Sequence, residues 1–275
     1  NTPAKIIDAQ IETKISGDIL NKQSVQVRGG FYRSIDNTLF WNKDTLDDLA
    51  SIEPGGSGSV SFEFAPLSLA EQIGRIFKRP TISVDVSSSG KRLSEGGVPE
   101  DIASSISSVI KVNSDTAFSQ RGVYHVGPFT NVGPIPPQAE KETTYTVFWT
   151  VINSSNDLRG GIATAKLPGY IRWIGRVTPS SERVSFNAVE REIRWELGNI
   201  EDGVGITLPP REIAFQIGLL PSVSQVATIP ILVGEGSFSA TDTFTDDRLS
   251  SGNSTVNTSL GSDPQFKIAD EKVIP

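Results

Sequence analysis

The chain carries one histidine, His125, and no cysteine. A Ser-His-Asp triad would therefore have to run through His125, and disulfides, thiol nucleophiles and zinc sites are excluded. His125 sits in GVYHVGPF, an opening strand or its exit, with no partner for a triad or a metal presented by the sequence. A strand or surface histidine is the expectation. Carboxylates are more plentiful: Thr241–Asp247 (TDTFTDD) and Asp44–Asp48 (DTLDD) are acidic loops. Calcium needs several carboxylate and carbonyl oxygens converging from one loop, often with a glycine at the sharp turn. Neither loop has EF-hand spacing, so solvated turns are expected; if calcium binds, the candidates are Asp242, Asp246 and Asp247. No other cofactor is expected. Gly55–Ser59 (GGSGS) is read as a turn before a strand, because it lacks the helix N-terminus that a phosphate cradle requires.

The elements that would position these residues read as strands. YTVFWTVI places Tyr145, Val147, Trp149 and Val151 on one face and Thr146, Phe148, Thr150 and Ile152 on the other. SVSFEF, TISVDV and EIAFQIGL alternate likewise, between clusters of Gly, Pro, Asn and Ser. This is the pattern of antiparallel sheets with a buried face. One helix is expected, over Ser68–Phe77, with Ser68 and Glu71 as a capping box. Net charge is −7, with no basic block, so nucleic acid is not an expected partner. No apolar run approaches the roughly 20 residues that span a bilayer, so no membrane insertion is expected. The first residue is Asn1, not Met, and the chain is read as a processed or excised piece.

Much of the sequence occurs twice. Leu49, Ile52, Glu53 and Gly55 recur as Leu197, Ile200, Glu201 and Gly203; TKISG (Thr13–Gly17) recurs as AKLPG (Ala165–Gly169); Trp41 recurs as Trp195. Phe31 is matched to Phe186, PTISVDVS from Pro80 to PILVGEGS from Pro230, and NSDTAF (Asn113–Phe118) to GSDPQF (Gly261–Phe266). The spacing between copies stays near 150 residues, which separate strands would not keep by chance. The expected domains are an incomplete first repeat, 1–113, a complete second repeat, 114–261, and 262–275 as a terminal strand or the start of a third. The first copy lacks everything equivalent to 114–152. Three closures are conceivable: a longer tandem array, a strand from a neighbouring subunit, or a smaller sandwich closed by Pro3–Lys14.

The second copy, from SDTAFSQRGV through KETTYTVFWTVIN to REIRWELGNIEDG, resembles the bacterial conserved-repeat module known as domain of unknown function eleven. The matching positions are Thr144–Asn153, Ala165–Pro168, Trp173 with Phe186, and Trp195–Gly203. The resemblance implies Ig-like β-sandwiches in tandem on large bacterial surface proteins, and the linkers are similar to those in surface proteins of ultra-small episymbiotic bacteria. The fold expected is all-β: two tandem Ig-like antiparallel β-sandwiches, the first lacking its N-terminal strands. The function expected is a non-enzymatic structural or spacer segment at the bacterial cell surface, outside the cell. Its partners would be other repeats of the same protein or neighbouring copies. An adhesin that binds a host surface protein or glycan is the alternative, and a fibre or coat subunit completed by strand exchange the second. Trp41, Trp149 and Trp195 are expected in cores, and Trp173 is the aromatic expected to meet a partner. The sequons at Asn153, Asn253 and Asn257 are read as coincidence in a bacterial chain. A Lys141–Asn257 isopeptide crosslink would need a buried carboxylate beside it.

Overall fold

A computed structural model describes residues 4–75, 77–93 and 97–275. Antiparallel strands dominate it, in two compact units: the residues up to Glu71 with Arg79–Val112, and Gln72–Lys78 with Asn113–Pro275.

The first unit contains β1 (Ile6–Ser16), β2 (Leu20–Arg28), β3 (Phe31–Arg33), β4 (Thr38–Trp41), β5 (Ser51–Ile52), β6 (Ser61–Pro66), β7 (Thr81–Leu93) and β8 (Pro99–Lys111). One sheet runs β3-β4-β1-β7-β8, with β5 also on β1; β2 and β6 form a separate ladder. Alternation along β1 turns Thr13 and Ile15 inward beside Leu39, Trp41 and Ile82, all of them buried. The Trp41 indole donates to the Arg28 carbonyl at 2.9 Å, and its ring meets Phe62 on β6 at 6.1 Å. That contact ties the ladder to the sheet.

The second unit contains β9 (Thr116–Val123), β10 (Thr143–Asn153), β11 (Leu158–Lys166), β12 (Ile171–Thr178), β13 (Arg183–Asn187), β14 (Glu192–Ile200), β15 (Arg211–Leu219), β16 (Ile231–Val233), β17 (Gly236–Asp242), β18 (Arg248–Asn253) and β19 (Val256–Asn257). Its sheets run β13-β14-β11-β17-β18 and β12-β15-β10-β9, with β16 and β19 as a small pair. The two large sheets enclose one core. At its centre Trp149 meets Phe118 and Phe215 edge-on, at 5.5 and 5.2 Å, the offset geometry that aromatic quadrupoles favour.

The order β3-β4-β1-β7-β8 and the order β13-β14-β11-β17-β18 are the same path drawn twice. Backbone landmarks recur with it. Asp8 (φ 52°) and Gly160 (φ 64°) sit in matching bulges of β1 and β11; Asn37 (φ 57°) matches Arg191 (φ 55°), and Gly55 matches Gly203, both at φ 77°. A positive φ is costly for residues with a Cβ, so its return at the same places marks a shared backbone. One matched pair needs correction. Tyr32 pairs with Leu39 as Phe186 pairs with Ile193, so Tyr32 and not Phe31 is the counterpart of Phe186. Phe31 points the other way and is exposed.

The helix expected over Ser68–Phe77 is a single turn, Leu69–Gln72. Half of the expected capping box is present: the Glu71 carboxylate accepts the Ser68 N–H at 2.8 Å, but the Ser68 hydroxyl donates to the same carboxylate at 2.7 Å, and the Glu71 N–H goes to the Ser68 carbonyl. Gly74, at φ 75°, ends it early. Ile76 lies outside the described residues, as does Pro3 of the proposed Pro3–Lys14 closure. Residues 262–275 belong to the second unit, with one short 3-10 turn, Ile268–Asp270, and a bridge between Gln138 and Ile274. No helix of the described residues is long and apolar enough to cross a membrane.

Candidate functional site

The residues singled out for chemistry are held in structural bonds. Asp242, fully buried at the end of β17, accepts from the Ser114 N–H and Asn156 Nδ2 on one oxygen and from the Phe244 and Thr245 N–H groups on the other. Asp246 pairs with Arg159 at 2.5 Å, and Asp247 accepts from Asn113 Nδ2 at 3.1 Å. Among the described residues no group of three or more His, Asp or Glu side chains is placed to hold a metal ion. Asp44–Asp48 lies on the first unit, where Asp47 and Asp48 open a 3-10 turn.

His125 follows β9 on the surface and packs edge-on against Tyr124. Both backbone N–H groups donate to Asp263 Oδ2 at 2.7 Å. Burial pushes the Asp263 carboxyl upward in pKa, but the N–H groups of His125, Tyr124 and Gln265 and the nearby His125 charge outweigh it and hold it below the ordinary value. Trp173 is half-buried, stacked on Phe186 at 5.6 Å and tilted against Phe215 at 5.4 Å. Asn153 is fully buried, its Nδ2 donating to the Asn156 and Glu201 carbonyls. Lys141 is exposed before β10, whereas Asn257 turns its Oδ1 to the Ser259 N–H.

What distinguishes the two units is the second layer. Strand β15 lies between β12 and β10, and β9 extends the sheet beyond β10. Its counterpart β6 has β2 on one side and no strand on the other, among the described residues. The ladders set the equivalence: Val27 pairs with Phe62 as Val177 pairs with Phe215, and Leu20 with Pro66 as Ile171 with Leu219. Val60, Phe62 and Phe64 therefore stand where the second unit has Ile213, Phe215 and Ile217. The latter three are fully buried, with β10 beside them in the sheet, and the former three are partly exposed. The same loss of cover reaches the large sheet. On β8, Ile102, Ile106 and Ile110 share the inward face with Val86 and Ser88, yet Ile106 is 72% and Ile110 43% exposed. In the second unit β9 crosses this position, where Gln120 bonds the carbonyls of Gly234 and Ser254.

Elsewhere on the large sheet an open apolar groove of about 260 Å³ is lined in part by Ile6, Ile11, Leu49, Ile52, Ser88 and Ile102. Beside it a wider polar hollow of about 510 Å³ holds the Asp8–Lys43 ion pair. The alternation of SVSFEF marked β6 in the sequence. The inward face of β8 has a fainter signature, isoleucines every fourth residue in a serine-rich run.

No family model matches the chain, and no curated protein does; the resemblance to the conserved-repeat module rests on the residues quoted above. Among solved structures, the major pilin subunit BcpA of Bacillus cereus, in a D312A form, aligns over 91% of this chain and 65% of its own, with a TM-score of 0.35 at 9% identity. The full-length major pilin SpaD of Corynebacterium diphtheriae aligns over 92% and 59%, with a TM-score of 0.34 at 10% identity. Three N-terminal domains of the pili tip protein Mfa5 of Porphyromonas gingivalis align over 41% and 23%, with a TM-score of 0.30 at 10% identity. The chain spans less than two thirds of each. The all-β class itself is established by the chain's own antiparallel ladders.

Proposed function

We propose that the chain is a non-enzymatic structural segment of a bacterial cell-surface protein, one that works outside the cell as part of a tandem array of sandwich modules. The observation that carries this reading is the repetition: one five-strand path occurs twice in a single chain. The acidic candidates support it, since Asp242, Asp246 and Asp247 all serve as internal acceptors or ion-pair partners. The resemblance to the conserved-repeat module supports the surface location and the family. Sandwich modules in series act as stiff spacers, because each buries its own core and only the linkers bend.

The test is an array of glycans and host surface proteins probed with the full chain. A spacer gives no saturable binding tighter than about 1 mM. Saturable binding that is lost on Trp173→Phe at an unchanged thermal midpoint would replace the spacer with an adhesin. A second reading, assembly through strand addition, is favoured by the bare edge of β6.

A further inference from the structure

We infer that β8 is a self-pairing edge, and that its occupant is the β8 of a second copy of this chain, joined antiparallel about a two-fold axis at Ile106. The inference goes beyond the spacer reading and stands without it. Strand β8 ends its sheet, with β7 on one side and no strand on the other among the described residues. Its counterpart β18 ends the matching sheet, so a free edge here belongs to the frame of both units. The two edges differ in the strand itself. β18 has six residues, RLSSGN, and β8 has thirteen. The β7–β8 ladder runs from Pro99 to Lys111 without a bulge, and no charged residue lies between Asp101 and Lys111. Long, uncharged, unbulged edges are the ones that recruit another strand.

The sequence of this edge fits its own reversal. Asp101–Lys111 reads DIASSISSVIK. With Ile106 on the axis, Ile102 of each copy faces Ile110 of the other, Ala103 faces Val109, and Asp101 faces Lys111, while the serines between face one another. Apolar meets apolar, hydroxyl meets hydroxyl and carboxylate meets ammonium, the cross-strand pairs that stabilise a sheet. An interface of this kind, made twice from one patch, is isologous. The backbone phase agrees. The Val112 N–H donates to the Pro80 carbonyl at 2.9 Å, so even-numbered residues of β8 bond toward β7 and odd-numbered ones turn their N–H and C=O to the free edge. Two copies of the strand then bond only in registers that pair odd with odd. The axis at Ile106 meets that condition; an axis at Ser105 or Ser107 also meets it, but sets Ile106 against Ser104 or Ser108. Ile106, Val109 and Ile110 are exposed in the single chain. Pairing joins the large sheets of two copies into one and ties neighbouring chains side by side.

The chain has no cysteine, so one introduced thiol reports the register. In Ile106→Cys the two thiols meet at a non-hydrogen-bonded pair, with Cα atoms about 4.5 Å apart, within reach of a disulfide. In Ser104→Cys they lie roughly 14 Å apart, out of reach. Sedimentation of the full chain over a dilution series should show a monomer–dimer equilibrium, and mild oxidation should crosslink Ile106→Cys but not Ser104→Cys. Ser105→Pro removes an N–H that points to the free edge, where an edge strand accepts proline; it should keep the thermal midpoint and weaken the dimer by about tenfold or more. Asp101→Lys or Lys111→Asp alone should weaken the dimer by about tenfold, and the two together should restore it. Three results would each overturn the inference: a chain still monomeric at about 0.1 mM, equal crosslinking at the two positions, as parallel in-register pairing gives, or a dimer unmoved by both Ser105→Pro and the charge exchange. Should Ser105→Pro lower the midpoint, the crosslinks and the charge exchange decide. None of these results touches the spacer reading, which falls on saturable binding to a glycan or host protein.

Discussion

Glu182 joins three parts of the second unit, and its removal should be felt by that unit alone. Its side chain is 8% exposed; it pairs with Arg211 of β15 at 2.5 Å and accepts the Trp195 indole N–H of β14 at 2.8 Å. Burial pushes its pKa upward, but the bonds from Arg211 and Trp195 and the Arg211 charge outweigh that and hold it below the ordinary carboxylate value of 4.5. Breaking a buried pair by deleting one partner costs about 3–5 kcal/mol. Arg211 is 37% exposed and recovers solvent, so about 2 kcal/mol is expected for Glu182→Ala. For a unit of this size that lowers the midpoint by about 4–8 °C. Glu182→Gln keeps an acceptor for Trp195 and should lose roughly half as much. The pH dependence has a definite sign. A carboxyl whose folded pKa is depressed contributes its stability fully above its unfolded pKa and loses it as pH falls through the folded one. The gap between wild type and Glu182→Gln should therefore be constant at neutral pH, narrow below 4.5 and close in stronger acid. Urea melts followed by tryptophan emission across pH measure it. A Glu182→Ala midpoint unchanged at pH 7, or a gap that widens toward acid, would refute the assignment.

Four further substitutions have outcomes fixed by the geometry. Gly160→Ala meets no atom within 4 Å, so only backbone strain remains and the loss should be about 1 kcal/mol. Asp8→Gly at the matching bulge relieves that strain and gives up only an exposed ion pair with Lys43, so its urea midpoint should be unchanged. Asp242→Ala removes one shared acceptor from four donors, those of Ser114 and Asn156 buried, and should cost about 3 kcal/mol, whereas millimolar calcium should leave the wild-type midpoint unchanged. Asp263→Ala frees the N–H groups of Tyr124, His125 and Gln265 and should expose residues 262–275 to proteolysis; its folded pKa is also depressed, so the difference from wild type disappears in acid.

The parts of this fold that were legible in the sequence are those with large, unmistakable side chains or obligatory backbone. Trp41 and Trp195 share a place in the ladder because each closes a core, and Gly55 and Gly203 share one because each turn needs a positive φ. The alternation of SVSFEF and EIAFQIGL likewise marked β6 and β15. Less legible was β8, whose inward isoleucines are diluted by serines, since without cover that face has little apolar content to repeat. The helix was overestimated because Ser68 and Glu71 announce a start, while the stop depends on a single glycine, Gly74. The match of Phe31 to Phe186 slipped by one residue, for adjacent aromatics at Phe31 and Tyr32 leave the phase open until the partner strand is known. The bonds of Asp242 and Asp263 reach across more than 100 residues, and local spacing carries no trace of them.

The most direct measurement compares amide exchange in β6 with exchange in β15, in the free chain at low concentration. The ladders predict slow exchange throughout Arg211–Leu219, held on both sides, and fast exchange in Ser61–Pro66 for the N–H groups that point away from β2. Equal, uniform protection of the two strands would mean that β6 is held on both edges, and the account of two units differing in their second layer would be wrong.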